Sequence, residues 1–571
     1  YDSDDGVGVA YNAMSEVFES ILDSGLEPGV TTRREAMAGP HRERWVSREL
    51  DELLRLLDVG AARMVSLRGR RRGQRLLPCG WRHYVKPDGS LKARWYICGF
   101  GQRRGDYRTT AAPTAMARTV RTVLAIMAHR RMHLCLVDVK SAFMSSPIDV
   151  SGMLTRMPPG YAMVDEEGYE IALEILTGIN GLRQGAALFY ARLRKLMVAF
   201  GMLISESDPC LYWKWIDGEL IIIAVHVDDL VTVYSHENIF MTFLTFFQKT
   251  FESTVDKKPE LMLGCEVTYF EDGLRLTSKR LIKKLGGLLG FDGGARSVIT
   301  PAREGLVLPR GEFEEVLTAE QEVYFAEMKP KLRAIVGLLS YIAGATHPET
   351  LRITREIQKC VHTPSWALCE ALKRVGRWLL NNLEVGPEFR SGAHVAGRAA
   401  VIGFADAAYL PDVHAGVAAP LGYSWRGHVL FAYGCPIEFV SKDISTIMKS
   451  TRDVELVAAA LAATPIDETV SILVDMHLVD ADGQSGWLVT DSQAMFGALD
   501  GEASSFCTRH LRTTFLLLRQ YVQQAAVVVR WGKTTDMVAD FLTKHVGKIV
   551  LKELLGKALG RDAFVPGQPS L

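Results

Sequence analysis

The stretch ELIIIAVHVDDLVTVY, residues 219–234, decides how this chain is read. An apolar run from Leu220 to Val225 is cut by His226, meets the adjacent pair Asp228-Asp229, and resumes as a second β-prone run. Short runs rich in Ile and Val read as buried strands, and the polar break at Val227-Asp228-Asp229 reads as the turn between them. Two neighbouring carboxylates beside an apolar sheet lose hydration and repel each other. A divalent cation relieves both costs. Hard ions such as Mg²⁺ take carboxylate oxygens and keep water and phosphate oxygens as their other ligands.

Working outward, a third acid appears in a similar setting. LCLVDV, residues 134–139, is a short apolar run that carries Asp138 at its end. A lone acid at a strand end is ordinarily a turn or cap residue; three on neighbouring strand ends can hold two ions around a phosphate. Upstream, residues 117–130 have helical spacing, residues 80–98 read as two strands around the turn Pro87-Asp88-Gly89, and residues 41–58 read as an amphipathic helix. Downstream, Leu188, Tyr190, Leu193, Met197 and Phe200 recur at helical spacing after Gly185, and Gly201 can end that helix. The segment RGRRRGQR, residues 68–75, is open between a solvated loop and a phosphate-contacting patch. Residues 1–26 are acidic and weakly patterned and read as a linker or the end of an upstream polyprotein segment.

The chain has 571 residues, which suits about three to five domains. Lys plus Arg and Asp plus Glu are both 66, so contact with a polyanion must come from local patches rather than overall charge. With 48% hydrophobic and 23% charged residues the chain is not disordered throughout. The nine cysteines form no CxxC or CxxxC pair, which argues against a zinc ribbon or a dithiol redox site and suits a reducing compartment. No uninterrupted apolar run approaches the ~18 residues that span a membrane, so no membrane partner is expected. The chain begins at Tyr1, as expected of a fragment or of the processed end of a longer precursor.

A second set of acids lies in the last third, where strand and helix patterns alternate from Val401 to about His545. Asp406 follows an apolar run in GFADAAY; Glu455 lies in the helical STRDVELVAAALAA; Asp491 ends WLVTD; and Asp540 lies in TTDMVADFLTKH. They are spaced 49, 36 and 49 residues apart. Four acids at one end of a strand-helix domain can hold two divalent ions around one phosphodiester.

The words DVKSAF (138–143), GLRQG (181–185), SDPCLY (207–212), HVDD (226–229) and LGCEV (263–267) come in the order and spacing of a copia-type LTR retrotransposon reverse transcriptase. KARWYICGFGQRRGDYRTTAAPT (92–114) is similar to that family's fingers segment, residues 32–53 resemble its opening helix, and VGLLSYIAGATHPE (336–349) resembles its segment after the thumb. The resemblance covers about residues 27–545. The second acid set, with GFADAAYLPD, GCPIEFVSKD and VADFLTKH around it, resembles the family's ribonuclease H.

The resemblance implies an α/β and α+β multidomain chain: a right-hand polymerase (fingers, palm, thumb) followed by a ribonuclease H-like α/β domain. It implies fingers and palm over 27–260, thumb and connection over 261–395, the ribonuclease H-like domain over 396–546 and a tail over 547–571. In the polymerase it casts Asp138 and Asp229 as the two-metal ligands, with Asp228 the other member of the pair. Phe143 becomes the steric gate against a ribose 2′-hydroxyl. Gln184 and Gly185 support the incoming nucleotide and template, and Arg94, assisted by Lys92, touches the triphosphate. In the second site Asp406, Glu455, Asp491 and Asp540 become catalytic metal ligands. Glu455 is preferred to its rival Asp453, Ser492 and Gln493 orient the substrate backbone, and His510 is either an aid to product release or a surface histidine.

The implied cofactor is Mg²⁺, two ions per active site, with Mn²⁺ as a substitute. The implied partners are an RNA template, a DNA or tRNA primer, the RNA-DNA hybrid, deoxynucleoside triphosphates and other products of a Pol polyprotein. The implied location is the cytoplasm, within virus-like particles, with access to the nucleus. Two departures stand out. His226 occupies a place where the family usually has Tyr, and GAALFY (185–190) replaces a proline-and-tryptophan segment, of which only Tyr190 keeps its place. They sustain the alternative of a decayed or domesticated element that binds nucleic acid without polymerase activity, and a second alternative in which only the ribonuclease is active.

Overall fold

The computed structural model describes residues 32–561 apart from 71–73, 86–90, 292–295, 310–316, 396, 411–422, 481–484, 494, 496–498, 500–510 and 525. The proposed linker over 1–26, Arg71 and Arg72 of the arginine patch, the turn Pro87-Asp88-Gly89, His510 and the terminal PGQPSL lie outside the described residues.

The N-terminal part is built from α1 (Arg33–Ala38), α2 (Arg42–Asp58) and small sheets. Helix α1 starts in a capping box: the Thr32 hydroxyl accepts from the Glu35 amide while the Glu35 carboxylate reaches back to the Thr32 amide. Trp45, Leu53 and Leu56 form the apolar stripe of α2, and Glu49 is buried with them. That carboxylate is held by Arg33 at 2.9 Å and by the His83 ring at 2.9 Å. Strands β1 (Ala62–Ser66), β2 (Leu76–Leu77), β3 (Cys79–Val85) and β4 (Leu91–Ile97) follow, with β3 and β4 paired antiparallel. Ala93, Trp95 and Ile97 of β4 are buried, which leaves Lys92, Arg94 and Tyr96 on the other face.

A six-stranded sheet forms the centre. Its strands are β5 (His133–Val139), β8 (Leu203–Ile204), β9 (Leu211–Ile216), β10 (Glu219–His226), β11 (Asp229–Tyr234) and β12 (Ser253–Asp256), in the order β12-β5-β11-β10-β9-β8. Strands β6 (Leu154–Arg156) and β7 (Ile171–Ile175) join β1 and β2 in a separate sheet. Helices α3 (Ala117–Arg130), α4 (Gly185–Ala199) and α5 (Glu237–Gln248) accompany the central sheet. Gly201, at φ 83°, allows the turn after α4 that a side chain would resist. Helix α3 is buried on every side from Thr119 to Ala128 because it lies between two sheets.

After the central sheet come β13 (Leu261–Met262), β14 (Cys265–Phe270), β15 (Gly273–Thr277) and β16 (Glu388–Arg390), which pair in that order. Helices α6 (Lys279–Leu288), α7 (Ala319–Met328), α8 (Leu332–Ala345), α9 (Leu351–Cys360) and α10 (Trp366–Leu380) share an apolar core of their own that includes Leu285, Ile335, Leu339, Ile357 and Leu372.

The C-terminal sheet holds β17 (Val401–Ala408), β18 (Ser424–Ala432), β19 (Cys435–Ile444), β20 (Gly486–Thr490) and β21 (Val528–Trp531), in the order β19-β18-β17-β20-β21. The first three are antiparallel; β20 runs parallel to β17, and β21 parallel to β20. Helix α11 (Thr451–Asp475) lies along β17, followed by α12 (Arg512–Gln523), the short α13 (Asp540–Thr543) and α14 (Lys548–Ala558). Helix α11 is long and apolar enough to cross a membrane by length and composition, a feature that run-by-run reading does not show. It packs on the sheet with most of its apolar window buried, as a core helix does. Leu551, Leu554 and Leu555 of α14 join the core formed by Phe404, Val429 and Phe431, so the helical part of the 547–571 tail packs against the C-terminal sheet.

The central and C-terminal parts share a boundary along α3. Arg118 on α3 bonds Glu438 of β19 and Glu468 of α11. Its neighbour Arg121 donates to the backbone oxygens of Gly344 and Ala345 at the end of α8, both at 2.7 Å. The Glu438 carboxyl is pulled down to about 2: Arg118 and the His428 ring beside it outweigh the opposing effect of burial, which is the largest single influence.

Candidate active sites

The first site forms where the central sheet faces β3 and β4. Strands β5 and β11 are antiparallel, and their register sets Asp138 directly opposite Asp229. Directly opposed residues share a face of the sheet, with Cβ atoms about 4.5–5.5 Å apart. Asp228 sits in the two-residue turn between β10 and β11. That turn is held in a conformation L-residues resist: Val227, a β-branched residue, has φ 56°. Such outliers concentrate where a side chain must be aimed. The backbone oxygen of Asp228 accepts from the Val139 amide at 3.1 Å, which ties the turn to the strand carrying Asp138.

Asp138 and Asp228 line one cleft of about 820 Å³ together with Lys92, Arg94 and Phe143. That volume lies within the roughly 300–1,000 Å³ of ligand clefts. Its far wall is basic. Lys92 and Arg94 come from β4, and Arg82, directly across the hairpin from Arg94, lines the same space. Burial pushes the Asp228 carboxyl up, and nearby Asp138 adds to this, while Arg94 and Lys92 oppose it. Burial pushes the Lys92 ammonium down, with Arg94 reinforcing the shift. The cleft thus sets a desolvated carboxyl, which Arg94 and Lys92 only partly offset, opposite cations that repel one another.

The remaining residues expected at this site have distinct positions. Phe143 lies in a turn of 3₁₀ helix after β5, where a Cβ on Gly178 would fall 2.6 Å from its carbonyl oxygen. The bare Gly185 backbone packs against the Phe143 ring, with an added Cβ 3.7 Å from Cγ. Gln184 is fully buried away from the cleft and accepts from the Gln102 amide at 2.8 Å. Asp229 is not among the cleft-lining residues, whereas Asp228 is. His226 is buried at the end of β10, and burial pushes its ring below the ordinary histidine range, so it is neutral near pH 7. Tyr190 donates to the Pro209 carbonyl at 3.2 Å. Arg48, Arg55 and Arg82, which also line the cleft, escape sequence reading; the first two are seven apart on α2 and the third is the cross-strand partner of Arg94.

The second site lies at the C-terminal sheet. Parallel pairing of β17 with β20 ends at Phe404–Val489, and two residues further this register brings Asp406 alongside Asp491. Helix α11 is capped by Ser450, whose hydroxyl accepts from the Asp453 amide, and it carries Glu455 over β17. Asp406, Glu455 and Asp491 each offer a carboxylate oxygen, and these atoms all lie within 4.8 Å of one another. Asp453, two residues from Glu455, stays outside that group. Burial pushes the Asp406 carboxyl up to about 7, and Asp540 and Asp491 add to it. Burial, then Asp406 and Asp491, push Glu455 up to about 9. A buried cluster of acids raised in this way fits hard divalent cations, which supply the missing positive charge.

Asp540 stands apart from the triad. Its carboxylate is ion-paired with Lys544, one helical turn further along. The Thr543 hydroxyl donates to Asp406, and Lys544 lies 3.9 Å from the same oxygen. Both residues were within reach of the sequence, at three and four positions after Asp540. Ser492 accepts from the Met495 amide at 3.3 Å, a capping role.

Residues 63–301 match the family described as "Reverse transcriptase (RNA-dependent DNA polymerase)". The match encloses Lys92, Arg94, Asp138, Phe143, Asp228 and Asp229. These matches support a likeness to the copia-type retrotransposon reverse transcriptases. The chain is 24% identical over 496 residues to the Retrovirus-related Pol polyprotein from transposon RE1 of Arabidopsis thaliana, covering 84% of this chain and 31% of that protein. It is 23% identical over 536 residues to the Retrovirus-related Pol polyprotein from transposon TNT 1-94 of Nicotiana tabacum, covering 92% of this chain and 38% of that protein. The chain therefore spans about a third of the length of the curated relatives it matches.

Proposed function

We propose that this chain is an RNA-directed DNA polymerase that also cleaves the RNA strand of RNA-DNA hybrids, each by two-metal-ion catalysis. The observation that carries the first activity is the cleft that Asp138 and Asp228 line together with Arg94, Lys92 and Phe143. Asp138, Asp228 and Asp229 would hold the ions of the polymerase site; Asp406, Glu455, Asp491 and Asp540 would hold those of the ribonuclease H-like site. The preferred ion is Mg²⁺, and Mn²⁺ can replace it. Bound there, a pair of such ions activates the attacking oxygen and stabilises the leaving one.

The chain's own residues do the rest. Arg94, with its planar fork, grips phosphate oxygens, and Lys92 adds a point charge beside it. Phe143 closes the space that a 2′-hydroxyl would need. Gly185 packs against that ring, and buried Gln184 ties the neighbouring loop to Gln102. At the second site, the backbone amide of Ala407 orients Glu455 and the Thr543 hydroxyl orients Asp406, so both face the same point. The template-primer is bound through its backbone and shape rather than its sequence. The partners follow from the chemistry: an RNA template, a DNA or tRNA primer, deoxynucleoside triphosphates and the hybrid product. We place the protein among the products of a Pol polyprotein, working in cytoplasmic virus-like particles.

The test is primer extension on an RNA template with a DNA primer, Mg²⁺ and deoxynucleotides, beside an Asp228→Asn/Asp229→Asn control. Synthesis that vanishes in the control is expected. Absence of synthesis from folded protein would favour the alternative of a non-catalytic remnant, and a hybrid-cleavage assay would then show whether the second site works alone.

A further inference from the structure

The second site contains a cation of its own. Lys544 is ion-paired with Asp540 and lies 3.9 Å from Asp406, so one ammonium bridges the fourth acid and the central one. It sits at the mouth of the site: its side chain is 46% exposed, while those of Asp406 and Asp540 are 4% and 18% exposed. The stem can therefore swing toward solvent without disturbing the core. The pairing is local: Lys544 caps the C-terminus of α13, and its backbone N–H donates to the Asp540 carbonyl at 3.1 Å.

We propose that Lys544 holds the place of the second divalent ion between Asp406 and Asp540, so that this ion enters only when a substrate phosphodiester is present to share it. The proposal rests on the ribonuclease H-like reading of the site. The physical argument is a balance of charge. Without ions, the ammonium is attracted by the clustered carboxylates. An ion within the Asp406, Glu455 and Asp491 triad leaves Asp540 for Lys544. A second ion against Asp406 and Asp540 would cancel that remaining attraction and repel the ammonium at short range. An arriving phosphate changes the balance. It adds negative charge for the second ion and offers the displaced ammonium a new partner outside the acid cluster. Lys544 is thus a positioning residue, which links ion occupancy to substrate.

The test is calorimetric titration of the full chain with Mn²⁺, in an Asp228→Asn/Asp229→Asn background that silences the polymerase site. The background chain should bind one ion tightly at the C-terminal site and a second only weakly. Lys544→Gln should tighten the second ion by at least fivefold, and Lys544→Arg should behave as the background does. Lys544→Met, which keeps the apolar stem, repeats the neutral arm if the glutamine variant folds poorly. Damage to the fold can only loosen binding, so tightening is specific to the lost charge. A second ion equally weak or weaker in both folded neutral variants would overturn the inference. If the background chain binds no Mn²⁺ that Asp491→Asn removes, it is the ribonuclease H-like reading that falls.

Discussion

Neutralising Glu455 should stabilise the metal-free protein, and by more as the pH rises. Glu455 has an ordinary value of 4.5 and is pushed to about 9 by burial and by Asp406 and Asp491. Asp406 is pushed from 3.8 to about 7. Between roughly pH 4.5 and 9 the folded chain keeps a proton on Glu455 that the unfolded chain releases. Stability then falls as pH rises through that window. Each pH unit spent there costs about 1.4 kcal/mol. From pH 6 to pH 8 the Glu455 share of the loss is about 3 kcal/mol, and Asp406, which titrates within the same interval, adds to it. Glu455→Gln stays neutral and removes the Glu455 share of this slope, so between pH 5 and pH 8 in EDTA the variant should gain about 4 kcal/mol on the parent. The assay is urea unfolding at a series of pH values, read through hydrogen exchange of the β17 amides, which report on the strand that bears Asp406. Mg²⁺ should reverse the order, since the ion binds the ionised parent better. A variant no more stable than the parent at pH 8, or a parent whose stability is flat across the window, would refute the picture of a cluster desolvated and charged in concert.

Other outcomes follow from the two sites and from their shared boundary. Asp228→Asn and Asp229→Asn should each abolish DNA synthesis and spare hybrid cleavage, whereas Asp491→Asn should do the reverse; activity kept at its own site would show that the assigned acid is not a ligand. Phe143→Ala should raise ribonucleotide incorporation by tenfold or more, in line with about 1–3 kcal/mol for a steric contact in a pocket; unchanged sugar selectivity in single-nucleotide insertion would remove Phe143 from the gate. Arg118→Met should cost about 3–5 kcal/mol of stability by stranding buried Glu438, and Glu438→Gln in the same chain should recover part of it; additive losses in the double-mutant cycle would show that the pair is not coupled.

Much of the first site was legible because its parts are local in sequence. The strand pattern of 219–234 predicts a hairpin, and the structure pairs His226 with Asp229 at the end of that hairpin. The alternation of β4 places Lys92 and Arg94 on one face. Reading falters where a role depends on a neighbour from far along the chain. Gln184 looks like a contact residue in its motif, but Gln102 draws its side chain into the interior. The resemblance casts Asp229 as the ligand of the pair, whereas Asp228, in the turn after Val227, is the one that lines the cleft. Arg82 carries no local signal at all. It joins the site because the hairpin register places it opposite Arg94.

By itself the sequence determined where the strands and helices lie and which acids end them, because hydrophobic period and turn chemistry act over a few residues. It also determined the order of the two acid sets, through words that need no tertiary contact to be recognised. Tertiary structure alone decided which of those acids meet. Asp406, Glu455 and Asp491 converge because a parallel strand pair and a helix laid over it bring together positions far apart in the chain. Asp540 stays outside that group and is ion-paired with Lys544, four residues on. Tertiary structure also decided that α3 would be buried between two sheets, and that Arg118 would join the central part to the C-terminal one. Burial and charge pairing are properties of distant segments brought into contact, and no short-range pattern records them.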